Sequence, residues 1–272
     1  MRRQYRKQWI RWHNGYEKYA TVVFQRMFKQ LANRIPLNVL TEDNYELIVT
    51  GSIPLDIITN TYQEVYITVG TIHGKRTGKQ INAQIKAIES KDFTLNSFLS
   101  AFNRRLLSFL IDNGGQRIRS VRKQYISYIN EIIARGLNDD KSIREITKDL
   151  DRLFKSRKWY RWQSLRIART ETTTAANFAA VTASRTSGVV MVKEWISSLD
   201  PRTRRPPESP YDHYSMNGKR TELDKDFDVS GEKMEYPGDP RGSGGNVINC
   251  RCTVAQIPLR DKNGKLVRTR PI

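Results

Sequence analysis

The chain has 272 residues, 38% of them hydrophobic, which suits one large domain or two modest ones with a folded core. Its 47 Lys and Arg outnumber 28 Asp and Glu, and the formal net charge of +19 must lie mostly on the surface, where it attracts a polyanion or an acidic protein face without choosing between them. No window approaches the roughly 18 consecutive apolar residues of a membrane-spanning helix, and the basic start MRRQYRKQW lacks the apolar segment of a secretory leader, so the chain is expected to act where it is made. Finger, RNP and helix-turn-helix signatures are missing, so base-specific reading of nucleic acid has no support.

The first 160 residues read as mainly helical. A basic, aromatic approach carries Arg2, Arg3, Arg6, Lys7, Trp9, Arg11 and Trp12; it reads equally as a solvated, frayed terminus or as an arm that docks or contacts phosphate. Residues 16–33 set Tyr16, Tyr19, Ala20, Val23, Met27 and Leu31 on one side of a helix that needs a covering surface. In DIITNTYQEVYITVGTIHG, Tyr62, Val65, Tyr66 and Val69 keep helical spacing despite many β-branched residues, and Pro54 lies near a plausible start. GKRTGK at 74–79 has a phosphate loop's composition without the GxxxxGK[ST] order, and reads as an exposed turn.

Residues 95–111 form a further helix with a stop at DNGG. The next helix carries Ile118, Val121, Tyr125, Tyr128, Ile129 and Ile132 beside Arg117, Arg119, Arg122 and Lys123, with Gly136 as its stop. Ser142 or Asp140 caps a helix packed through Ile143, Ile146, Leu150 and Leu153. From 157 to 187 the chain predicts a long helix whose Leu165, Ala168, Thr172, Ala175 or Ala176, Ala179 and Ala183 line a narrow contact face. Its threonines lower helix propensity, so packing must hold it. Gly188 ends it before the strand-like VVMVKEWI.

From Asp200 the composition turns to loops: DPRTRRPPESP, a hairpin-compatible Asn217-Gly218 pair, then YPGDPRGSGGN leading to a final strand. Loops of this length need packing, a metal or a partner to hold them. The only two cysteines sit in NVINCRCTV, residues 246–254. They make no disulfide framework, and if the segment is extended Cys250 and Cys252 share a face while Arg251 points away.

The ordered set ARTETTTAANFAA, KEWISSLDPRTR, HYSMNGKRTELDKDF, YPGDP and INCRC resembles the phage head morphogenesis family, described as Mu F-like or SPP1 minor-head-like, over roughly residues 155–257. The positions that carry the resemblance are Arg169, Glu171, Asn177, Trp195, Asp200, Arg202, Arg204, His213, Gly218, Pro237, Gly238, Asp239, Cys250, Arg251 and Cys252, read as structural signature residues with no catalytic residue among them. The proline-rich RRPPESPYD between Arg204 and His213 departs from the usual compact arrangement. The resemblance implies a minor structural protein of a tailed-phage virion, built into the head in the host cytoplasm near the portal. Its implied partners are the portal protein, the major capsid protein or other head proteins, with links to DNA packaging and ejection.

The residues themselves suggest particular work. Arg169 and Glu171 suit clamping a loop that returns from Asp200 or Asp239, Asn177 suits binding loop carbonyls, and Trp195 suits anchoring the loops while its indole N–H meets a polar group. His213, returned by the Asn217-Gly218 turn, would join Cys250, Cys252 and Asp200 or Asp239 as a donor set for a structural zinc; buried thiols, a hydrogen-bond network and a redox-sensitive pair are the alternatives. Nothing pairs a nucleophile with a base, so no enzyme is expected.

The expected architecture is α+β: a predominantly helical N-terminal region, then a C-terminal helix plus a small antiparallel sheet and long pinned loops. Residues 1–155 would contact portal, capsid or a second copy, 156–260 would form the head-morphogenesis-like domain, and 261–272 a basic tail. Arg2, Arg3, Arg6, Lys7, Arg104, Arg105, Arg117, Arg119 and Arg122 are the candidate electrostatic contacts to packaged double-stranded DNA through phosphate. A transient assembly factor, a non-specific DNA-binding protein and a metal-dependent or thiol enzyme are the competing readings.

Overall fold

A computed structural model describes residues 2–85, 95–109 and 115–269. Helices α1 (Arg2–Ala32), α2 (Tyr45–Ser52), α3 (Leu55–Ile85), α4 (Leu95–Phe109), α5 (Gly115–Asn138) and α6 (Ile143–Lys155) precede the long α7 (Arg157–Arg185). The chain then forms β1 (Met191–Ile196), β2 (Arg220–Glu222), β3 (Phe227–Val229), β4 (Glu232–Met234), the single-turn α8 (Gly244–Val247) and β5 (Thr253–Pro258). This is the expected α+β arrangement, a large helical region followed by a small antiparallel sheet. No described helix is long and apolar enough to cross a membrane.

The helix of residues 157–187 differs from its expected narrow contact face, because every residue from Thr170 to Ser184 is buried. Helices α1, α3 and α4 and strand β5 surround it. Small Ala, Thr and Ser side chains let these neighbours approach closely, and the hydroxyls stay satisfied by bonding back to carbonyls one turn earlier, Thr172 to Ala168 at 2.7 Å and Ser184 to Ala180 at 3.0 Å. Burial on every side thus offsets the low helix propensity.

Two glycine readings also change. GKRTGK is no exposed turn: it lies inside α3, where Gly74, Thr77 and Gly78 are buried. A Cβ on Gly70 would sit 2.2 Å from the Phe102 ring and one on Gly74 2.0 Å from Phe98, so these glycines are where α4 docks on α3. Gly136 does not stop its helix either, since α5 runs on to Asn138 and Gly136 packs against Ile146 of α6. The left-handed residue at that end is Asp140, φ 56°, and Ser142 caps α6 in a reciprocal capping box with Glu145. The DNGG stop lies mostly outside the described residues, with Gly115 opening α5.

The sheet runs β2-β1-β5, antiparallel throughout, with Trp195 opposite Val254 and Glu194 between Arg220 and Ala255. Asn217-Gly218 does not form a tight hairpin loop: β1 and β2 are separated by the whole 197–219 segment, and Gly218, φ 88°, leads into β2. The tight hairpin is β3-β4, turning through Ser230 and Gly231 at φ 54° and 84°, the doubly left-handed geometry that matches strand twist. One hydrophobic core runs from Trp9 and Phe24 of α1 through α7 to Trp195, Cys252 and Val254.

Candidate functional site

Four polar side chains of α7, Thr170, Thr173, Thr174 and Asn177, fall at i, i+3, i+4 and i+7 and so share one helix face. Each meets a backbone group of the C-terminal loops. Thr170 Oγ1 accepts from Asn249 N–H at 3.1 Å, Thr173 donates to Cys250 O at 2.6 Å and Thr174 to Gly238 O at 2.8 Å. Asn177 donates to Pro237 O and Cys252 O at 2.8 and 3.2 Å and accepts from the Thr253 hydroxyl and Val254 N–H at 2.8 and 3.1 Å. All four hydrogen-bonding positions of this buried amide are filled, so one residue fixes PGD and the start of β5 together. Gly238, φ 83°, lies so close that a Cβ would be 3.3 Å from Thr174 N.

Arg169 and Glu171 reach the N-terminal helices instead of the returning loops. Arg169 pairs with Glu17 of α1 at 3.2 Å, while Glu171 takes Arg117 of α5 at 3.1 Å and the Tyr66 hydroxyl of α3 at 2.6 Å. Their positions two apart turn them to different neighbours. Asp239 pins its own turn, accepting from Glu235 N–H at 2.6 Å and pairing with Arg241, which also holds Asp226. Asp200 pairs with Arg251 and accepts from Arg202 N–H at 3.0 Å, and Arg204 donates to Ile248 O.

The three residues expected to meet do meet. His213, Cys250 and Cys252 are all buried, and His213 Nδ1 lies 3.5 Å from Cys250 Sγ and 3.8 Å from Cys252 Sγ. Both cysteines are free thiols. Arg204 O accepts from His213 N–H at 3.0 Å, the Ser197 hydroxyl bonds His213 O, and the imidazole packs edge-on to Trp195. Trp195 is the fully buried anchor expected, but its Nε1 has no hydrogen-bond partner among the described residues. Neither Asp200 nor Asp239 belongs to the cluster. The Cys250 thiol donates toward Cys252, which holds Cys250's own pKa up, with burial adding to it, and draws that of Cys252 down.

Residues 127–255 match the family described as Phage Mu protein F like protein. The match spans less than half of the chain and starts in α5, ahead of the segment whose motifs carry the resemblance. It supports a general phage head-morphogenesis association. No curated protein and no solved structure matches the chain. Within the matched region lie the α7 threonine and asparagine face, the PGD turn and the Cys-Arg-Cys segment, so the geometry gives the family resemblance a physical content: a helix that binds two loops through their backbones.

The candidate electrostatic residues divide. Arg2 and Arg220 pair with the buried Glu194, Arg6 donates to Ser197 O at 2.8 Å, Arg105 binds Thr182 and Glu235, Arg117 binds Glu171, and Arg122 donates to Ile53 O and Thr50 O. Arg3, Lys7, Arg104 and Arg119 are exposed, with no carboxylate paired to them among the described residues. The N-terminal arm is not frayed: it is the first turns of α1, held on the C-terminal region through Arg2, Tyr5, Arg6 and Trp9 while Arg3 and Lys7 face solvent.

The sequence reading missed the threonine face as a binding surface, although its i, i+3, i+4, i+7 spacing was visible. It missed Asn246, whose Oδ1 lies 3.0 Å from His213 Nε2. It also missed buried His13 and His73, whose pKa values burial pushes down to about 3, and Lys193, pushed down to about 8 by burial while its Nζ donates to Glu235 O at 2.8 Å.

Proposed function

We propose that this chain is a minor structural protein of a tailed-phage head, acting in assembly at or near the portal. The observation that carries the reading is the family match over 127–255, together with the use that α7 makes of its signature residues. Asn177, Glu171, Arg169 and Asp239 place their polar atoms on backbone groups and ion pairs of the fold, which is architectural work and leaves them committed.

Residues 1–155 would supply the partner-facing surface with the sides that do not cover α7. Val22, Leu47 and Leu107 are exposed apolar residues on those sides, suited to a portal or capsid face or a second copy. Arg3, Lys7, Arg104 and Arg119 are the candidates for phosphate contact with packaged double-stranded DNA, which needs charge and no base reading. Neutralising them would weaken DNA association and reduce its salt dependence.

Chemical crosslinking with mass spectrometry on assembled heads, with and without nuclease, tests the placement. Nuclease-resistant crosslinks from residues 1–155 to a portal subunit are expected. Crosslinks confined to the major capsid protein would remove the portal from the proposal, and crosslinks lost with DNA would favour a DNA-binding role over a protein dock.

A further inference from the structure

We infer that His213, Cys250 and Cys252 form three corners of a tetrahedral zinc site, with His213 bound through Nδ1. A zinc ion about 2.3 Å from sulfur and about 2.0 Å from imidazole nitrogen sets tetrahedral nitrogen-to-sulfur edges of roughly 3.5 Å. The two edges here are 3.5 and 3.8 Å, and all three donor atoms lie within 4.8 Å of one another. The donors are one imidazole and two thiols, the set that zinc prefers over harder cations.

The second ring nitrogen is held as a metal-bound histidine requires. His213 Nε2 lies 3.0 Å from Asn246 Oδ1, and Asn246 is turned so that its Nδ2 donates to Val229 O at 3.3 Å. That orientation presents an acceptor to Nε2, which therefore carries the proton, and leaves the lone pair of Nδ1 facing the two sulfurs. An oriented partner on the far nitrogen is the usual second layer of a zinc histidine. The backbone is arranged to the same end: Thr173 and Asn177 bind the carbonyls of Cys250 and Cys252, while Arg251 between them turns outward to Asp200. Two thiolates neutralise one divalent ion, so the loaded site suits burial.

Neither expected aspartate supplies the fourth corner, since Asp200 is taken by Arg251 and Asp239 by Arg241. This corrects the expected Cys2HisAsp set to Cys2His. The site joins two segments far apart in the chain, the 197–219 loop and the stretch that runs from α8 into β5, and it stands apart from the head-assembly role.

Full-length protein prepared with zinc, and with cobalt(II) as a spectroscopic substitute, tests this. Native and denaturing mass spectrometry should give one zinc per chain with both thiols reduced, and the cobalt form should show thiolate-to-metal charge transfer with the intense visible bands of a tetrahedral ion. Asn246→Ala should keep the fold and lower metal affinity by about 10- to 100-fold. His213→Ala should lose the cobalt spectrum. Folded, metal-free protein with two titratable thiols after zinc loading would overturn the proposal in favour of a thiol and imidazole hydrogen-bond network, and a mass two hydrogens short would overturn it in favour of a disulfide. An unchanged cobalt spectrum in His213→Ala would place the metal elsewhere and overturn it too.

Discussion

Trp9, in the third turn of α1, donates its indole N–H to the carbonyl of Arg251 at 2.8 Å, across 242 residues of sequence. The bond ties the first helix to the backbone between the two cysteines, and Trp9 is almost wholly buried in doing so. Trp9→Ala should therefore destabilise the protein by about 3–5 kcal/mol in denaturant unfolding. Trp9→Phe, which keeps most of the apolar area and loses only the N–H, should recover all but roughly 1–3 kcal/mol, the cost of the carbonyl left without its donor. Equal loss in both variants would assign the effect to the hydrogen bond alone.

The ion pair of Arg117 and Glu171 is largely shielded, 19% and 5% exposed, and the Tyr66 hydroxyl shares the carboxylate. Arg117→Ala leaves a buried carboxylate without its cation and should cost about 3–5 kcal/mol. Joint replacement by Arg117→Met and Glu171→Gln should return most of that stability, a result that unfolding curves on the single and double variants would read directly.

Asn177→Leu keeps the volume of the side chain but strands two carbonyls, a hydroxyl and an N–H in the interior. A loss of at least about 2 kcal/mol is expected, with faster tryptic cleavage at Arg241 and Arg251 because PGD and the Cys-Arg-Cys segment lose a common anchor. Cleavage at an unchanged rate would mean that the threonines alone hold the loops.

Burial holds His13 and His73 near a pKa of about 3, against an ordinary 6.5. For His13 the nearby Arg251 adds to burial, and for His73 it is Arg76. Both are neutral when folded near pH 5, whereas the unfolded chain takes up protons below 6.5. Their contribution is complete above pH 6.5 and is lost as pH falls toward 3, by at most roughly 1.4 kcal/mol per pH unit for each histidine. Denaturant unfolding between pH 7.5 and about 4.5 should show that decline, and His73→Phe, whose ring fits among Trp9, Trp12 and Tyr16, should make it about half as steep.

Gly70 and Gly74 are occupied by the rings of Phe102 and Phe98. Alanine normally favours a helix over glycine by about 1 kcal/mol, yet here its methyl would displace a ring; Gly70→Ala and Gly74→Ala should each destabilise by about 1–3 kcal/mol. A rise in melting temperature would show that α4 is not seated on α3 in solution.

The helices were legible because Tyr62, Val65, Tyr66 and Val69, or Ile118, Tyr125 and Ile129, repeat at helical spacing and bury the side they advertise. The Cys2His grouping was legible in outline because a CxC pair on extended backbone can only present both thiols one way. What escaped depends on contacts across the chain. Gly74 and Gly136 look like punctuation, and become contact points only once Phe98 and Ile146 are known to face them. The pairing of Arg169 with Glu17 and of Arg251 with Asp200 needs the fold, since each carboxylate was one of many. Basic residues look alike in sequence; burial separates Arg117, spent on Glu171, from exposed Arg119 two positions later.

The most direct measurement of the proposed head role is quantitative mass spectrometry of gradient-purified, DNA-filled heads produced from the genome that encodes the chain. A minor head protein should co-purify at a fixed ratio to the portal subunit and persist after nuclease treatment and washing. Abundant chain in the lysate with none in well-covered heads would contradict a stable place in the virion and leave a transient assembly factor in its stead.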